Sequence, residues 1–208
     1  MKTIKYIALG VILTSLVFSS FTQTETVTFS ETYTQLEVIS KLDQDDQFFT
    51  WVQLEDTSPE SARIGRCHQD NLEDFWNYVQ SEGFQAKVQK DLIIVEGAET
   101  RNHMSSLYAI KMRAPKDVFP SGQDVEEVSV SLDGDEENYM LLFSFSESGA
   151  ENWASMTGLN KGRDIAILFN GKVISAPRVQ EEIKDGKCAI SGKFTESEIN
   201  ELKAIFEN

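Results

Sequence analysis

The chain has 208 residues, with 19 Lys+Arg against 34 Asp+Glu, a formal net charge of -15 and an isoelectric point near 4.5. That acidity argues against nucleic-acid binding, because phosphates are repelled and no Lys/Arg block compensates. Apolar residues make up 40%, with 13 Phe and 3 Trp, so wholesale disorder is excluded, and two His and two Cys leave little material for a metal cluster.

Lys2 and Lys5 precede an apolar run from Tyr6 to Phe18, which gives way to Ser19, Ser20, Phe21, Thr22 and Gln23. This is the layout of a secretory signal peptide over residues 1–22, and the run is short for a membrane span, which needs about 20 apolar residues. An uncleaved anchor is the rival reading. No Cys follows the run, so a lipid anchor is not indicated. The expected location is periplasmic or secreted, with no membrane span after cleavage. Without the two lysines, 17 basic residues face 34 acidic ones, a charge of about -17.

Residues 23–114 read as an N-terminal α/β lobe. Val27, Phe29, Leu36–Val38 and Phe48–Leu54 alternate with Thr, Ser and Glu, which predicts strands, and the segment from Asp56 to Ser61 is a loop by composition. Asp70 can cap a helix carrying Leu72, Phe75, Trp76 and Val79, with Gly83 just beyond its end. Two short strands, Phe84–Val88 and Leu92–Val95, are predicted next. A second helix is expected from Thr100 to Ala109, with Met104, Leu107 and Tyr108 on one face. Residues 115–124 contain Pro115 and Phe119-Pro120-Ser121-Gly122 and read as a linker.

Residues 125–208 form the second lobe. Val128–Leu132 and Tyr139–Phe145 are predicted strands, followed by a helix from about Glu147 to Asn160 with Ala150, Trp153, Ala154 and Thr157 on one face. Ile165–Phe169 and Lys172–Ala176 flank Asn170-Gly171, a strong hairpin signal because both turn positions tolerate positive φ. Pro177 ends that strand. Asp185-Gly186 turns the chain into a strand around Cys188–Ile190, and Thr195-x-x-Glu198 is a capping box opening a final helix with Ile199, Leu202, Ile205 and Phe206 inward. Two amphipathic helices on one face of an antiparallel sheet make an α+β fold.

Cys67 and Cys188 are a candidate disulfide in an oxidising compartment, although Cys188 also reads as a small buried hydrophobe in a strand. Cys67-His68 is a poor metal site. The acidic runs at 43–46 and 133–138 lack the Gly and Glu spacing of a calcium loop. No phosphate-binding glycine loop or nucleophile elbow is present, and His68 and His103 lie in plain contexts. Catalytic, metal and cofactor sites are therefore not expected, and the protein is read as a non-enzyme.

The second lobe carries a family pattern. Gly149-Ala150-x-x-Trp153-x-x-x-Thr157 is followed by the run from Asn160 to Pro177, in which Gly162, Ala166, Gly171, Ser175, Ala176 and Pro177 stand at fixed spacing. Then come Ile183-x-x-Gly186 and Ile190-Ser191-Gly192-x-Phe194-Thr195. Over residues 125–208 this resembles the head subdomain of the first periplasmic domain of SecD and fused SecD–SecF, the protein-export membrane components. A fainter likeness to the base of that domain covers residues 83–113, where Val95-Glu96-Gly97 lacks the family's Pro. The resemblance implies a mainly structural role for the motif residues. It also implies a protein-binding module that contacts translocated or unfolded polypeptides or an envelope partner. Proton-driven translocation is not implied, since the family's membrane helices have no counterpart in this sequence. The rival readings are an adaptor with one dedicated partner and, further off, a hydrolase.

Overall fold

The computed structural model describes residues 26–44, 46–54, 59–114, 118–132 and 139–207. The expected signal segment, the 133–138 acidic run and residues 56–58 of the expected 56–61 loop lie outside them. In chain order the elements are β1 (Val27–Glu31), α1 (Gln35–Ile39), α2 (Phe48–Trp51), β2 (Val52–Gln53), β3 (Arg63–His68), α3 (Leu72–Val79), α4 (Glu82–Gln85), β4 (Leu92–Arg101) and β5 (Met104–Lys111). They continue as β6 (Val125–Leu132), β7 (Tyr139–Phe145), α5 (Glu147–Leu159), β8 (Ile165–Phe169), β9 (Lys172–Ser175), β10 (Lys187–Phe194) and α6 (Glu196–Phe206).

The fold is α+β, as expected, but its strands divide differently. One sheet has the order β1-β8-β9-β4-β5-β3-β2 and a second has the order β10-β7-β6. The β8–β9 hairpin thus leaves the sheet of its own lobe and joins strands from before the 115–124 segment. β1 pairs antiparallel with β8, from Val27 opposite Phe169 to Glu31 opposite Ile165. At its other end Thr32 bridges Ile110, and Tyr33 N–H donates to the Ala109 carbonyl at 3.0 Å. The large sheet therefore curls back on itself around a small cluster of Ile110, Ala166, Leu168 and Val173.

Four local predictions, the 100–109 helix and the strands at 36–38, 48–54 and 84–88, give way to other structure. Residues 104–111 form a strand, in which Ser105, Leu107 and Ala109 are buried with a period of two and Ile110 is buried in the cluster inside the curled sheet. The turn before it is Asn102-His103, both at positive φ (52° and 58°), which closes a β4–β5 hairpin. Residues 35–39 are helical because Thr34 and Glu37 form a capping box. Phe48–Trp51 and Glu82–Gln85 are single helical turns, the latter capped by Ser81, so Gly83 lies inside a helix instead of beyond one. The 72–79 helix forms as predicted, although Asp70 sits in the 3₁₀ turn before it and the side chain that accepts there is His68.

Two main cores result. The first gathers Val38, Phe48, Ile64, Phe75, Phe84 and Leu107 between the short helices and one face of β3–β5. The second gathers Phe29, Leu141, Phe143, Phe145, Trp153, Ile165, Ile190 and Ile199 between the three-stranded sheet, β1–β8 and the helices α5 and α6. Phe29 stands edge-on to Phe145 at 5.4 Å and to Trp153 at 5.5 Å. Cys67 lies in the first core and Cys188 in the second; both are free, so the candidate disulfide is not made. Among the described residues no helix is long and apolar enough to cross a membrane.

Candidate functional site: a groove beside the three-stranded sheet

Strand alternation decides which side chains of β7 meet the core. Leu141, Phe143 and Phe145 point inward, and α6 packs there, with Phe206 stacked on Phe143 at 4.9 Å. Leu142 and Ser144 take the other face. Cross-strand register then makes two rows on that face, Ser129–Leu142–Ala189 and Glu127–Ser144–Lys187. Beside these rows opens a groove of about 650 Å³. Its far wall is the strap from Pro177 to Asp185, and Trp153 and Ile165 line its buried end.

The strap has no regular secondary structure, so its backbone groups need partners elsewhere. Gly162 N–H donates to the Val179 carbonyl (2.8 Å), Val179 N–H to the Arg163 carbonyl (2.9 Å) and Ile165 N–H to the Pro177 carbonyl (3.0 Å). Thr157, fully buried, holds the middle: its Oγ1 donates to the Trp153 carbonyl (2.8 Å) and accepts from Ile183 N–H (3.0 Å). Gly186 closes the strap at φ 67°, where a Cβ would stand 2.6 Å from that of Ala150. Five of the sequence-marked residues, Ala150, Thr157, Gly162, Pro177 and Gly186, thus converge on seating one wall of the groove, and Trp153 lines it.

The remaining marked residues lie elsewhere. Gly149 lets the start of α5 approach Asp124, whose Cβ would be 2.7 Å from an added one. Ala166 and Ala176 belong to the cluster inside the curled sheet, and Ser175 pairs with Ile167. Asn170 and Gly171 make the β8–β9 turn at φ 48° and 80°. Gly192 falls where the β10–β7 pairing shifts register, Phe194 packs on the second core, and Thr195 caps α6 with Glu198.

Sequence reasoning missed a polar seam that ties the strap to the first half of the chain. Asp164, almost fully buried, accepts from Ala62 N–H (2.8 Å) and from Arg178 Nε (3.1 Å), while its carbonyl accepts from Thr32 Oγ1 (2.6 Å). Arg178 also reaches Glu60 at 2.7 Å. Arg163 donates twice to Glu37 (2.8 and 2.9 Å), and Asn160 Nδ2 donates to Glu31 Oε1 (2.9 Å). The Arg163 guanidinium holds the Glu37 carboxyl down at about 2, against an ordinary value of 4.5. The signal was available: Asn160, Arg163 and Asp164 stand inside the family run, as polar groups between the end of a helix and a β-type segment.

The groove offers binding surface and little chemistry. Its apolar lining comes from Leu142, Phe143 and Trp153 and, on the strap, from Val179 and Ile183. Burial pushes the Cys188 thiol up to about 12, so it stays protonated and is no nucleophile at neutral pH. Trp153 is 1% exposed, and its Nε1–H has no acceptor among the described residues. No group of three or more potential metal-binding side chains occurs among the described residues.

The family model "SecDF, P1 head subdomain" matches residues 99–208. Protein translocase subunit SecD of Elusimicrobium minutum is 40% identical over 88 residues, covering 42% of this chain and 18% of that protein. The SecD subunit of Rickettsia typhi is 30% identical over 124 residues, covering 60% of this chain and 23% of the relative. This chain therefore spans about a fifth of the length of these curated relatives. A solved chain described as a membrane component SecDF that enhances protein export aligns over 87% of this chain and 61% of its own length, at 14% identity and a TM-score of 0.42.

Proposed function

The chain belongs to the SecDF P1 head subdomain family, and from that membership we propose that it is a non-enzymatic polypeptide-binding module of protein export, working in the periplasm or outside the cell. The observation that carries this reading is the groove between the three-stranded sheet and the strap. It is apolar along its floor, open to an extended segment, and bordered by the long strands β6 and β10 at the sheet edges. Residues 1–22 deliver the chain across the membrane in this reading, and residues 125–208 are its binding lobe.

The test is site-specific photo-crosslinking to a reduced, unfolded polypeptide. Crosslinkers at Leu142 and Ala189 line the groove, and one at Asp74 on α3 serves as the distant control. Adducts from the first two positions and none from the third are expected. Equal labelling from all three, or none from any, would sink the proposal. Capture of a single tight partner with no affinity for unrelated unfolded chains would favour the adaptor reading instead.

A further inference from the structure

The charges around the groove are unequal. Glu127, Glu181 and Asp185 line it, all exposed, against Lys187 and Arg178. Arg178 is already engaged by Asp164 at 3.1 Å and Glu60 at 2.7 Å, so its charge is spent inside the seam. Three carboxylates then face one ammonium. Glu126, adjacent to Glu127 on β6, lines a second hollow with Glu147 and Glu151. The lining between these rims is apolar, and the Trp153 Nε1–H at its buried end has no acceptor among the described residues.

From this arrangement, and resting on the peptide-binding reading above, we infer that the groove selects extended apolar segments flanked by Lys or Arg. The apolar stretch lies on Leu142, Val179 and Ile183, and the flanking cations meet Glu127 on one rim and Glu181 and Asp185 on the other. Each exposed ion pair contributes little, but several acting on one ligand bias the choice among segments of equal hydrophobicity. An acidic-flanked segment meets like charge on both rims and is rejected.

The experiment uses three short peptides with the same Leu/Val centre and with Lys, Gln or Glu at both flanks. Binding to the full chain is read by calorimetry. It is read again by Trp153 fluorescence in a Trp51→Phe/Trp76→Phe protein, where Trp153 is the sole indole. The Lys-flanked peptide is expected to bind about tenfold more tightly than the Glu-flanked one at low salt, and to lose that advantage by about 0.5 M salt. Glu127→Gln, Glu181→Gln and Asp185→Asn should each weaken the Lys-flanked peptide about two- to fivefold, and together bring it to the affinity of the Gln-flanked peptide. Glu73→Gln, on α3, should change nothing. Equal binding of all three peptides would overturn the charge selection and leave peptide binding standing. Failure of every peptide to bind would overturn both. A dimer whose dissociation is required before any peptide binds would show the groove to be a self-interface and would also overturn the inference.

Discussion

The two main cores are built from similar material and end differently. The first, around Phe48, Phe75 and Phe84, is closed by short helices, and even its buried carboxylate is consumed internally. Asp46 accepts from Tyr78, Lys87 and the Phe48 N–H. Burial alone would raise its pKa, but these donors outweigh burial and lower it. The second, around Phe29, Phe143 and Trp153, is covered by a three-stranded sheet whose other face stays partly open, and beside it the strap leaves a groove. The lesson is that helices seal a core, whereas a sheet must expose what alternates with its core residues, so the open region is where a ligand can be met.

The largest effects would test whether the cores differ in role and not only in shape. Phe48→Ala and Trp153→Ala each empty a fully buried ring site and should cost about 3–5 kcal/mol in denaturant unfolding. The milder Trp153→Phe should retain the fold and alter peptide affinity, while Phe48→Leu retains the fold and leaves affinity unchanged. If both conservative variants affect binding alike, the division of labour is wrong. Asp164→Ala, at the seam between the regions, should cost roughly 2–3 kcal/mol, because it strands the Ala62 N–H and releases Arg178. Thr157→Val keeps the volume but removes the partner of Ile183 N–H; about 1–2 kcal/mol is expected, together with weaker peptide binding as the strap loosens.

Acid should probe the same seam more gently. Glu37 has its folded-state pKa depressed to about 2 from 4.5, so its pairing with Arg163 stabilises fully above pH 4.5 and is lost as pH falls towards 2. The pair is partly exposed and its contribution small. Glu37→Gln should flatten this part of the acid-unfolding curve; an unchanged curve would remove the pair from the account. Smallest in energy is thiol access. Burial pushes Cys67 up to about 11, with Glu96 adding to it, and Cys188 up to about 12. Neither should react with a thiol reagent in the folded protein at neutral pH, and both should react in denaturant; one native reactive thiol would show that a core opens.

Legibility in the sequence follows the same contrast. The second half was readable because its signals are strong and local: Asn170-Gly171 for the turn, Thr195-x-x-Glu198 for the cap, and a family spacing that covers most of the groove wall. The first half uses weaker versions of the same devices. Thr34-x-x-Glu37 is also a capping box, but only five residues of helix follow, too few for a periodic stripe. Asn102-His103 is also a positive-φ turn, but the strand after it buries Ser105 and Ala109, whose small side chains leave hardly any hydropathy alternation. The groove itself could not be read at all. It depends on β8 and β9 joining the other sheet, a choice set by pairings between distant segments and by the buried Asp164, not by any local pattern.

One of those distant pairings governs the order in which the molecule can assemble. Thr26 N–H donates to Asn170 Oδ1 across 144 positions of the chain, and β1 pairs along its whole length with β8, beside a single bridge from Thr28 to Ser121. β1 therefore waits for β8, more than 130 positions later, before the curled sheet can close. Such non-local closure makes folding slow and leaves long precursors open.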